Sequence, residues 1–350
     1  MGKILNIFFF VLCLSLASCK VINSVSIDYM LPADICFPPE VKNVAIVNNT
    51  PQGEEKPLLK KPDERKKDAA VPVAVFDGYA KLTAEELANN VAEKNYFDQV
   101  IICDSALRAK DHVQRETQLS QDEVKELTQS LGVDMLLSLE RVKLYFNGNV
   151  AYLSDSPVLA EVLDAKVSSM VRIYLPARPT ALFGLNDRDS IYWTGSWNIT
   201  DDVVKEASSF AATLPLKHIL PTWKTVDRYY YASGSIEMRD AAVCVREDTW
   251  EDAFKLWGKT FKLKSDKMRM RAAYNIALYY EMKDQLENAK EWLEKAKSIA
   301  EKKLPKNEDG EVLESTQDYA LILLYKADLD ERVTNMQKLN LQMSRFKDDF

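Results

Sequence analysis

The chain has 350 residues, of which 47% are hydrophobic, 28% charged and 10% aromatic. This composition excludes a disordered chain, a collagen-like repeat and a small disulfide scaffold, and the length allows one large or two ordinary domains. The formal net charge of -7 argues against a general nucleic-acid-binding protein, which would normally be basic.

Residues 1–18 have the pattern of a secretory signal peptide. Lys3 supplies the positive start, and residues 4–16 form an almost unbroken apolar run. The run is shorter than the roughly 20 apolar residues that cross a bilayer, and no later segment is long and apolar enough to do so. We therefore expect a leader that is removed.

The leader ends in Leu16-Ala17-Ser18-Cys19. This tetrapeptide resembles the lipobox of bacterial lipoproteins, in which an aliphatic and two small residues precede a cysteine. The resemblance implies cleavage before Cys19 and a diacylglycerol on its thiol, so that the membrane is a partner through this lipid. Lys20 follows in place of an acidic residue, which favours the outer membrane of a diderm bacterium, and we expect the protein to face the periplasm. The alternatives are an ordinary signal peptide cut nearby and an uncleaved anchor.

Three cysteines remain beyond Cys19, at positions 36, 103 and 244. None belongs to a CxxC pair, so the sequence supports neither a zinc ribbon nor a thioredoxin-like site. Cys103 ends an apolar run and has the pattern of a small buried hydrophobic residue. A disulfide between Cys36 and Cys244 is compatible with a periplasmic location, but the sequence does not decide it.

The middle of the chain alternates strand and helix patterns. Thr83 and Ser120 are each followed three residues later by glutamate, which predicts two helix N-caps, and Gly132 predicts the end of the second helix. Three apolar runs flank these helices and are typical of buried strands: residues 44–47, 97–103 and 133–139. The order β-α-β-α-β predicts parallel pairing with right-handed crossovers.

Two further segments, 166–174 and 189–197, have strand patterns and are predicted to pair as a hairpin, which gives a mixed, largely parallel sheet. Residues 50–81 form a charged loop that is too long for an ordinary connection. It is interpreted as a solvated insertion, with a binding loop or lid as the alternative.

The α/β pattern resembles the amino-terminal domain of TolB-like proteins and of the curli secretion-channel lipoproteins. The resemblance covers roughly residues 40–200 and is carried by 41–47, 97–102 and 131–137. It implies an α/β fold that binds other envelope proteins without catalysis.

No catalytic or cofactor signature stands out. The strand at 44–47 is followed by no glycine-rich phosphate loop, and the two histidines, His112 and His218, belong to no HExxH motif. The acidic pairs Asp187/Asp189 and Asp201/Asp202 are predicted in loops. We therefore expect no enzyme, no cofactor and no metal.

Residues 200–245 form a connector between the sheet and the C-terminal helices. Asp201 or Asp202 is predicted to cap a helix that runs to about residue 216. Arg228 and Tyr229 belong to an aromatic cluster that is interpreted as packing between domains, with Arg228 buried in hydrogen bonds; a stacking platform for a sugar or a protein partner is the alternative.

Residues 246–350 have the pattern of an α-helical domain that resembles tetratricopeptide repeats. Two helices, one through Ala273 and Tyr280 and one through Ala289, are separated by a turn at 282–285, and a preceding helix is predicted at 250–263. Such helices bind peptides on a concave surface or merely cover a sheet. The candidate partner-binding residues are Trp257, Ala273, Tyr280 and Trp292, together with Arg228 and Tyr229.

The whole chain resembles an uncharacterised group of bacterial lipoproteins with this architecture. Its expected parts are a signal peptide (1–18), an N-terminal tether (19–39), the α/β domain with its connector (40–245) and the helical domain (246–350). The expected function is a non-catalytic scaffold that contacts envelope proteins and no nucleic acid. The alternatives are a surface lipoprotein that captures carbohydrate and a glycan-processing enzyme. The oligomeric state is left open.

Overall fold

The computed structural model describes residues 21–51, 73–103, 105–111, 117–152, 158–262, 265–302, 304–307 and 312–349. The predicted leader, Cys19 and His112 lie outside these ranges, as does most of the charged loop. The described residues form two compact units. Within these ranges, residues 32–222 and 341–349 form an α/β unit, and residues 21–31 and 223–340 form a mainly helical unit.

The secondary structure alternates in the first unit and is mostly helical in the second. The strands are β1 (Ile22–Leu31), β2 (Asn43–Asn48), β3 (Val73–Asp77), β4 (Gln99–Cys103), β5 (Met135–Tyr152), β6 (Leu159–Tyr174), β7 (Phe183–Thr194) and β8 (Thr222–Tyr231). The helices are α1 (Ala80–Glu93), α2 (Gln121–Leu131), α3 (Asp201–Thr213), α4 (Leu216–Ile219), α5 (Ile236–Arg246), α6 (Trp250–Phe261), α7 (Asp266–Met282), α8 (Leu286–Glu301) and α9 (Gln317–Met343). None of these helices has the length and apolar character that a bilayer span needs.

The α/β unit contains a six-stranded mixed sheet in the order β4-β2-β5-β6-β7, with β3 beside β5. Strand β2 pairs in parallel with both β4 and β5, so that Val44 lies opposite Val100 and Met135. This confirms the parallel pairing predicted from the β-α-β-α-β order. Strands β6 and β7 pair antiparallel, which confirms the predicted hairpin. The expectation of a largely parallel sheet was wrong, because β3–β5, β5–β6 and β6–β7 are all antiparallel and only the two pairings of β2 are parallel.

Helices cover the sheet unequally. Helices α1 and α3 pack on one face, where Leu87 and Ala207 join a core that includes Leu137. Helix α2 packs on the opposite face through Val124, against a smaller core that includes Leu136. Leu136 lies near the start of β5, so α2 contributes cover to the first half of that strand only.

Of the two N-caps predicted at Thr83 and Ser120, the structure shows only the one at Ser120. The Ser120 side chain accepts a hydrogen bond from the backbone N–H of Glu123, and the Glu123 side chain accepts one from the backbone N–H of Ser120, as predicted. Gly132 ends the helix with a left-handed φ of 65°, as predicted. The prediction for Thr83 was wrong, because α1 begins at Ala80. Thr83 is buried one turn inside the helix, where its hydroxyl donates to the backbone carbonyl of Ser208 on α3 at 2.9 Å.

Three other expectations in this unit are corrected. The range interpreted as a charged loop contains all of β3 and the start of α1, because the apolar run 73–76 pairs with β5. Thr200, rather than Asp201 or Asp202, caps α3. None of the four paired aspartates lies in a loop, because Asp187 and Asp189 lie within β7 and Asp201 and Asp202 begin α3.

The helical unit begins with a two-stranded ribbon of β1 and β8. Residues 22–31 were expected to belong to a tether, and the structure places them in β1 instead. Hydrogen bonds join Val21 with Ala232 and Ser26 with Asp227, so the two strands run antiparallel. No local pattern predicts this pairing, because the two strands are far apart along the chain.

The remaining helices follow the predicted order. Helix α7 ends at Met282 and α8 begins at Leu286, which confirms the turn at 282–285. Asp284 adopts a left-handed φ of 54° in this turn. Helix α9 extends to Met343, well beyond the helix expected from residues 316–329. An α/β region followed by a helical region is therefore confirmed.

Candidate functional site

Most residues proposed from the sequence as a partner surface lie in the interior of the helical unit. Trp257 and Ala273 are fully buried, and Tyr280 and Trp292 are half-buried against the same core. Their regular spacing reflects packing between helices, so they do not form an exposed groove. Cys19 lies outside the described residues.

Arg228 points into the helical unit and belongs to a buried ion network. Its Nε lies 3.0 Å from Oε2 of Glu281 and its Nη1 lies 2.8 Å from Oδ2 of Asp328. Arg332 approaches the same glutamate, with Nη1 2.8 Å from Oε1, and also contacts Asp284 at 2.6 Å. Two guanidinium groups on β8 and α9 therefore share one buried carboxylate on α7. This arrangement argues against Arg228 as part of an exposed platform.

The electrostatics of this network favour its charged form. Burial lowers the pKa of the Arg228 guanidinium, but hydrogen bonds and charge from Glu281 outweigh burial, so that this pKa is raised above its ordinary value. Tyr325 donates its hydroxyl to Oε2 of Glu281 at 2.7 Å. Burial and the Glu281 charge raise the pKa of Tyr325 as well, which keeps it a hydrogen-bond donor.

A second buried network lies at the carboxyl end of the parallel strands, where ligands commonly bind in α/β sheets. Glu140 sits at an irregularity in β5 between Leu139 and Arg141 and is fully buried. Asn49, just after β2, donates its Nδ2 to Oε2 of Glu140 at 2.8 Å. Tyr174 donates its hydroxyl to Oε1 at 3.3 Å.

Arginines complete this second network. Arg172 lies 3.4 Å from Glu140, while Arg108 donates to Oδ1 of Asn49 at 2.8 Å and lies 3.0 Å from Glu123. Burial raises the pKa of Glu140, and the hydrogen bond from Asn49 lowers it only in part. Each arginine faces a carboxylate of this chain, so we interpret the network as structural, although one buried nitrogen of each, Nη2 of Arg108 and Nη1 of Arg172, makes no hydrogen bond to a described residue. The sequence offered one weak signal, a polar pair at 48–49 directly after a buried strand.

Three carboxylates of the two acidic pairs, Asp187/Asp189 and Asp201/Asp202, contact groups other than a second carboxylate. Oδ1 of Asp187 lies 2.7 Å from Nε2 of His218 and 3.4 Å from Nζ of Lys217. Asp189 instead accepts a hydrogen bond from the backbone of Ser190. Asp201 pairs with Lys205 at 2.7 Å. Asp187, Asp189 and Asp201 are each engaged by another group of the chain.

Within the described part of the chain, no helix covers one face of the sheet over the second half of β5 and the strands beside it. Tyr145 lies opposite Lys166, which lies opposite Ser190, and Tyr145 is 45% exposed. A shallow cavity of about 290 Å³ lies on this face. We call this surface the open sheet face and define it by five of the residues that line the cavity: Tyr145, Lys166, Ser168, Arg188 and Ser190.

The open sheet face carries two basic side chains that have no acidic partner among the described residues. Lys166 and Arg188 are exposed and make no ion pair with a described residue, whereas nearby Lys143 pairs with Asp77. An aromatic ring beside two unpaired cations suits a partner that carries carboxylate groups. The sequence could not reveal this surface, because the three strands that form it meet only in the folded sheet.

The three cysteines beyond Cys19 are all free thiols in the structure, at positions 36, 103 and 244. Within the described residues, no group of histidine, cysteine, aspartate or glutamate side chains is arranged to hold a metal ion.

Replacement Glu281→Gln should strongly destabilise the helical unit. The change keeps the shape of the side chain but removes the charge shared by Arg228 and Arg332, and breaking a buried ion pair costs about 3–5 kcal/mol. Native-state hydrogen exchange of α7 peptides measures the effect. The matched control is Glu294→Gln, whose carboxylate makes a surface pair with Lys326 and should change stability by less than about 1 kcal/mol. Equal effects of the two replacements would contradict the network's role.

Replacement Glu140→Gln should change how stability depends on pH. A carboxyl pKa raised by folding makes the folded state hold its proton more tightly than the unfolded state. Stability from this group is therefore full below the ordinary pKa of 4.5 and is lost as pH rises towards the raised value. Glutamine resembles the protonated form, so the variant should gain stability relative to wild type as pH rises through this window. Thermal unfolding over a pH series measures the difference, and a constant difference would contradict the expectation.

The comparisons with known proteins concern both units. Residues 239–331 match the family model of a domain of unknown function, DUF6340. No curated protein and no solved structure matches the chain. Residues 41–231, more than half of the chain, match the domain of unknown function DUF8603, and the chain therefore belongs to the DUF8603 family.

Proposed function

We propose that the protein is a lipid-anchored lipoprotein of a diderm cell envelope. In this proposal it faces the periplasm from the outer membrane and holds other envelope proteins by non-covalent contact. The open sheet face is the observation that carries the contact role, because it presents unpaired cations and an exposed aromatic ring. The N-terminal sequence supports the anchor.

The anchor is proposed from the order of the N-terminal signals. An apolar run with a basic start is followed directly by Leu16-Ala17-Ser18-Cys19. A diacylglycerol on the Cys19 thiol would supply two acyl chains. Two chains hold a protein stably at a membrane, whereas one chain gives only marginal binding.

The helical unit is proposed to be tetratricopeptide-like and to support the α/β unit's role rather than to supply the main contact surface. Ala253 on α6 and Ala289 on α8 occupy equivalent buried positions 36 residues apart, close to the repeat length of such units. The inward positions of Trp257 and Ala273 favour a packing role. Contact with partners is accordingly proposed for the open sheet face.

Carbohydrate capture is the second candidate function. It is favoured by the exposed rings of Trp223 and Tyr229 on β8, since aromatic faces stack on sugars. The buried position of Arg228 removes the cation that would have completed a platform there. We therefore place this candidate after the protein-contact role.

Replacement Cys19→Ala should abolish acylation and release the protein from membranes, because the thiol that accepts the glyceride is gone. Labelled-palmitate incorporation and membrane fractionation of cells measure both effects. Cys36→Ala is the matched control, since it removes an exposed thiol of the folded chain and should leave both readouts unchanged. An unchanged membrane fraction for Cys19→Ala would refute the anchor.

The contact role is tested by site-specific photo-cross-linking in intact cells. A photoreactive residue at Tyr145 should form an adduct with an envelope protein, and the double replacement Lys166→Glu and Arg188→Glu should remove that adduct by repelling an acidic partner. A photoreactive residue at Leu324, exposed on α9, is the control position. Adducts from Leu324 alone, or adducts at Tyr145 that survive charge reversal, would contradict the assignment.

A further inference from the structure

The ribbon of β1 and β8 has two faces of different character. Side chains alternate along each strand, so that Ile27, Arg228 and Tyr230 point into the helical unit and are buried. Most of the opposite set is exposed, the exceptions being Ile22, Met30 and Tyr231, and we call its exposed members the outward ribbon face. It consists of Ser24, Ser26 and Asp28 on β1 and Trp223, Thr225, Asp227 and Tyr229 on β8.

The inward face of the ribbon is held firmly against the helices. Arg228 reaches Glu281 on α7, and the Arg332 guanidinium of α9 lies 4.4 Å above the ring of Tyr29 on β1. The backbone of Tyr231 exchanges two hydrogen bonds with the side chain of Asn275, each 2.8 Å long. The outward face is therefore fixed in orientation relative to the rest of this unit.

The middle of the outward ribbon face is polar and internally bonded. Ser26 donates its hydroxyl to Oδ1 of Asp227 at 2.7 Å, and Thr225 donates to Oδ1 of Asp28 at 2.6 Å. Each pair crosses from one strand to the other. Both carboxylates are exposed and each uses only one oxygen in these bonds, so both can also accept from ammonium groups.

The two ends of the same face carry large aromatic side chains. Trp223 is 69% exposed and Tyr229 is 52% exposed. They are six positions apart on one strand, which separates them by about 20 Å. Of the six tryptophans in the chain, Trp223 alone is exposed, the others being buried or half-buried. Tryptophan and tyrosine are the residues enriched at membrane–water interfaces, where one end of the ring is apolar and the other is hydrated.

The position of the proposed anchor brings this face close to a bilayer. Cys19 precedes Ile22, the first residue of β1, by three positions, and three residues span at most about 11 Å. The hydrogen bonds between the strands place Tyr229 opposite Ser24, near the start of β1. A lipid on Cys19 therefore holds the Tyr229 end of the ribbon near the headgroups.

We propose that the outward ribbon face lies on the membrane surface, with Trp223 and Tyr229 at the level of the lipid headgroups. This inference rests on the proposed lipid anchor and adds a second, sequence-distant contact to it. Because Asp28 and Asp227 lie between the two rings, the matching lipid is one with an ammonium headgroup, such as phosphatidylethanolamine. The ribbon then sets the orientation of the helical unit at the membrane.

Tryptophan quenching in vesicles tests the contact. The lipidated full-length protein is reconstituted into phosphatidylethanolamine-rich vesicles, with or without bromine on acyl carbons near the headgroup. Brominated lipid should quench part of the wild-type emission, and Trp223→Phe should lose that quenched part entirely. Trp292→Phe, which changes a half-buried tryptophan of the same unit, is the matched control and should retain it. Tyr229→Ser should reduce quenching at Trp223, since one of the two membrane contacts is removed.

Flotation of the same vesicles separates the two proposals. Wild-type protein that fails to float would contradict the lipid anchor and, with it, this inference. Protein that floats, but shows equal emission in brominated and plain vesicles, would overturn the ribbon contact and leave the anchor standing. In that second outcome, protection of Trp223 from aqueous acrylamide by an added oligosaccharide would assign the face to carbohydrate instead.

Discussion

The α/β unit depends on one strand that serves two kinds of pairing. Strand β5 pairs in parallel with β2 over its first residues and antiparallel with β3 further on. On its other edge it pairs antiparallel with β6 along almost its whole length. The change of partner coincides with an irregularity at Glu140, and bulges are known to redirect strands in this way. A carboxylate placed there cannot reach water, so Asn49, Tyr174 and Arg172 must supply its contacts. The buried network at the carboxyl end of the parallel strands thus follows from the mixed topology of the sheet.

The helical unit also contains a buried carboxylate, but there two arginines neutralise it. Glu281 is buried on α7 and is matched by two arginines, one from β8 and one from α9. Because each arginine also contacts a more exposed aspartate, the excess positive charge is neutralised towards the surface. The same contacts that hold the helices together turn β8 so that Trp223 and Tyr229 face outward. Stability and the proposed membrane contact therefore depend on one network.

Local sequence signals predicted much of this fold. The capping box at Ser120, the αL glycine at Gly132 and the turn at 282–285 involve residues a few positions apart, so a short window contains all the information needed. The strand β1 was missed because its partner β8 is distant, and its own residues alternate between polar and apolar as a solvated tether also can. Periodicity identified Trp257 and Ala273 as members of one helical face, but it does not say whether another helix covers that face. The roles of Glu140 and Glu281 depend on partners from several elements, which no single pattern in the chain brings together.

The ribbon also has a consequence for how the protein is made. Ser26 and Asp227, which are bonded in the finished molecule, are 201 positions apart. Since synthesis proceeds from the N-terminus, β1 is complete long before β8 exists, while the six-stranded sheet between them in the chain is assembled from nearer neighbours. Such remote pairing slows folding and leaves an early strand edge available to other chains. We therefore expect the newly made β1 to need chaperone protection until β8 has been synthesised.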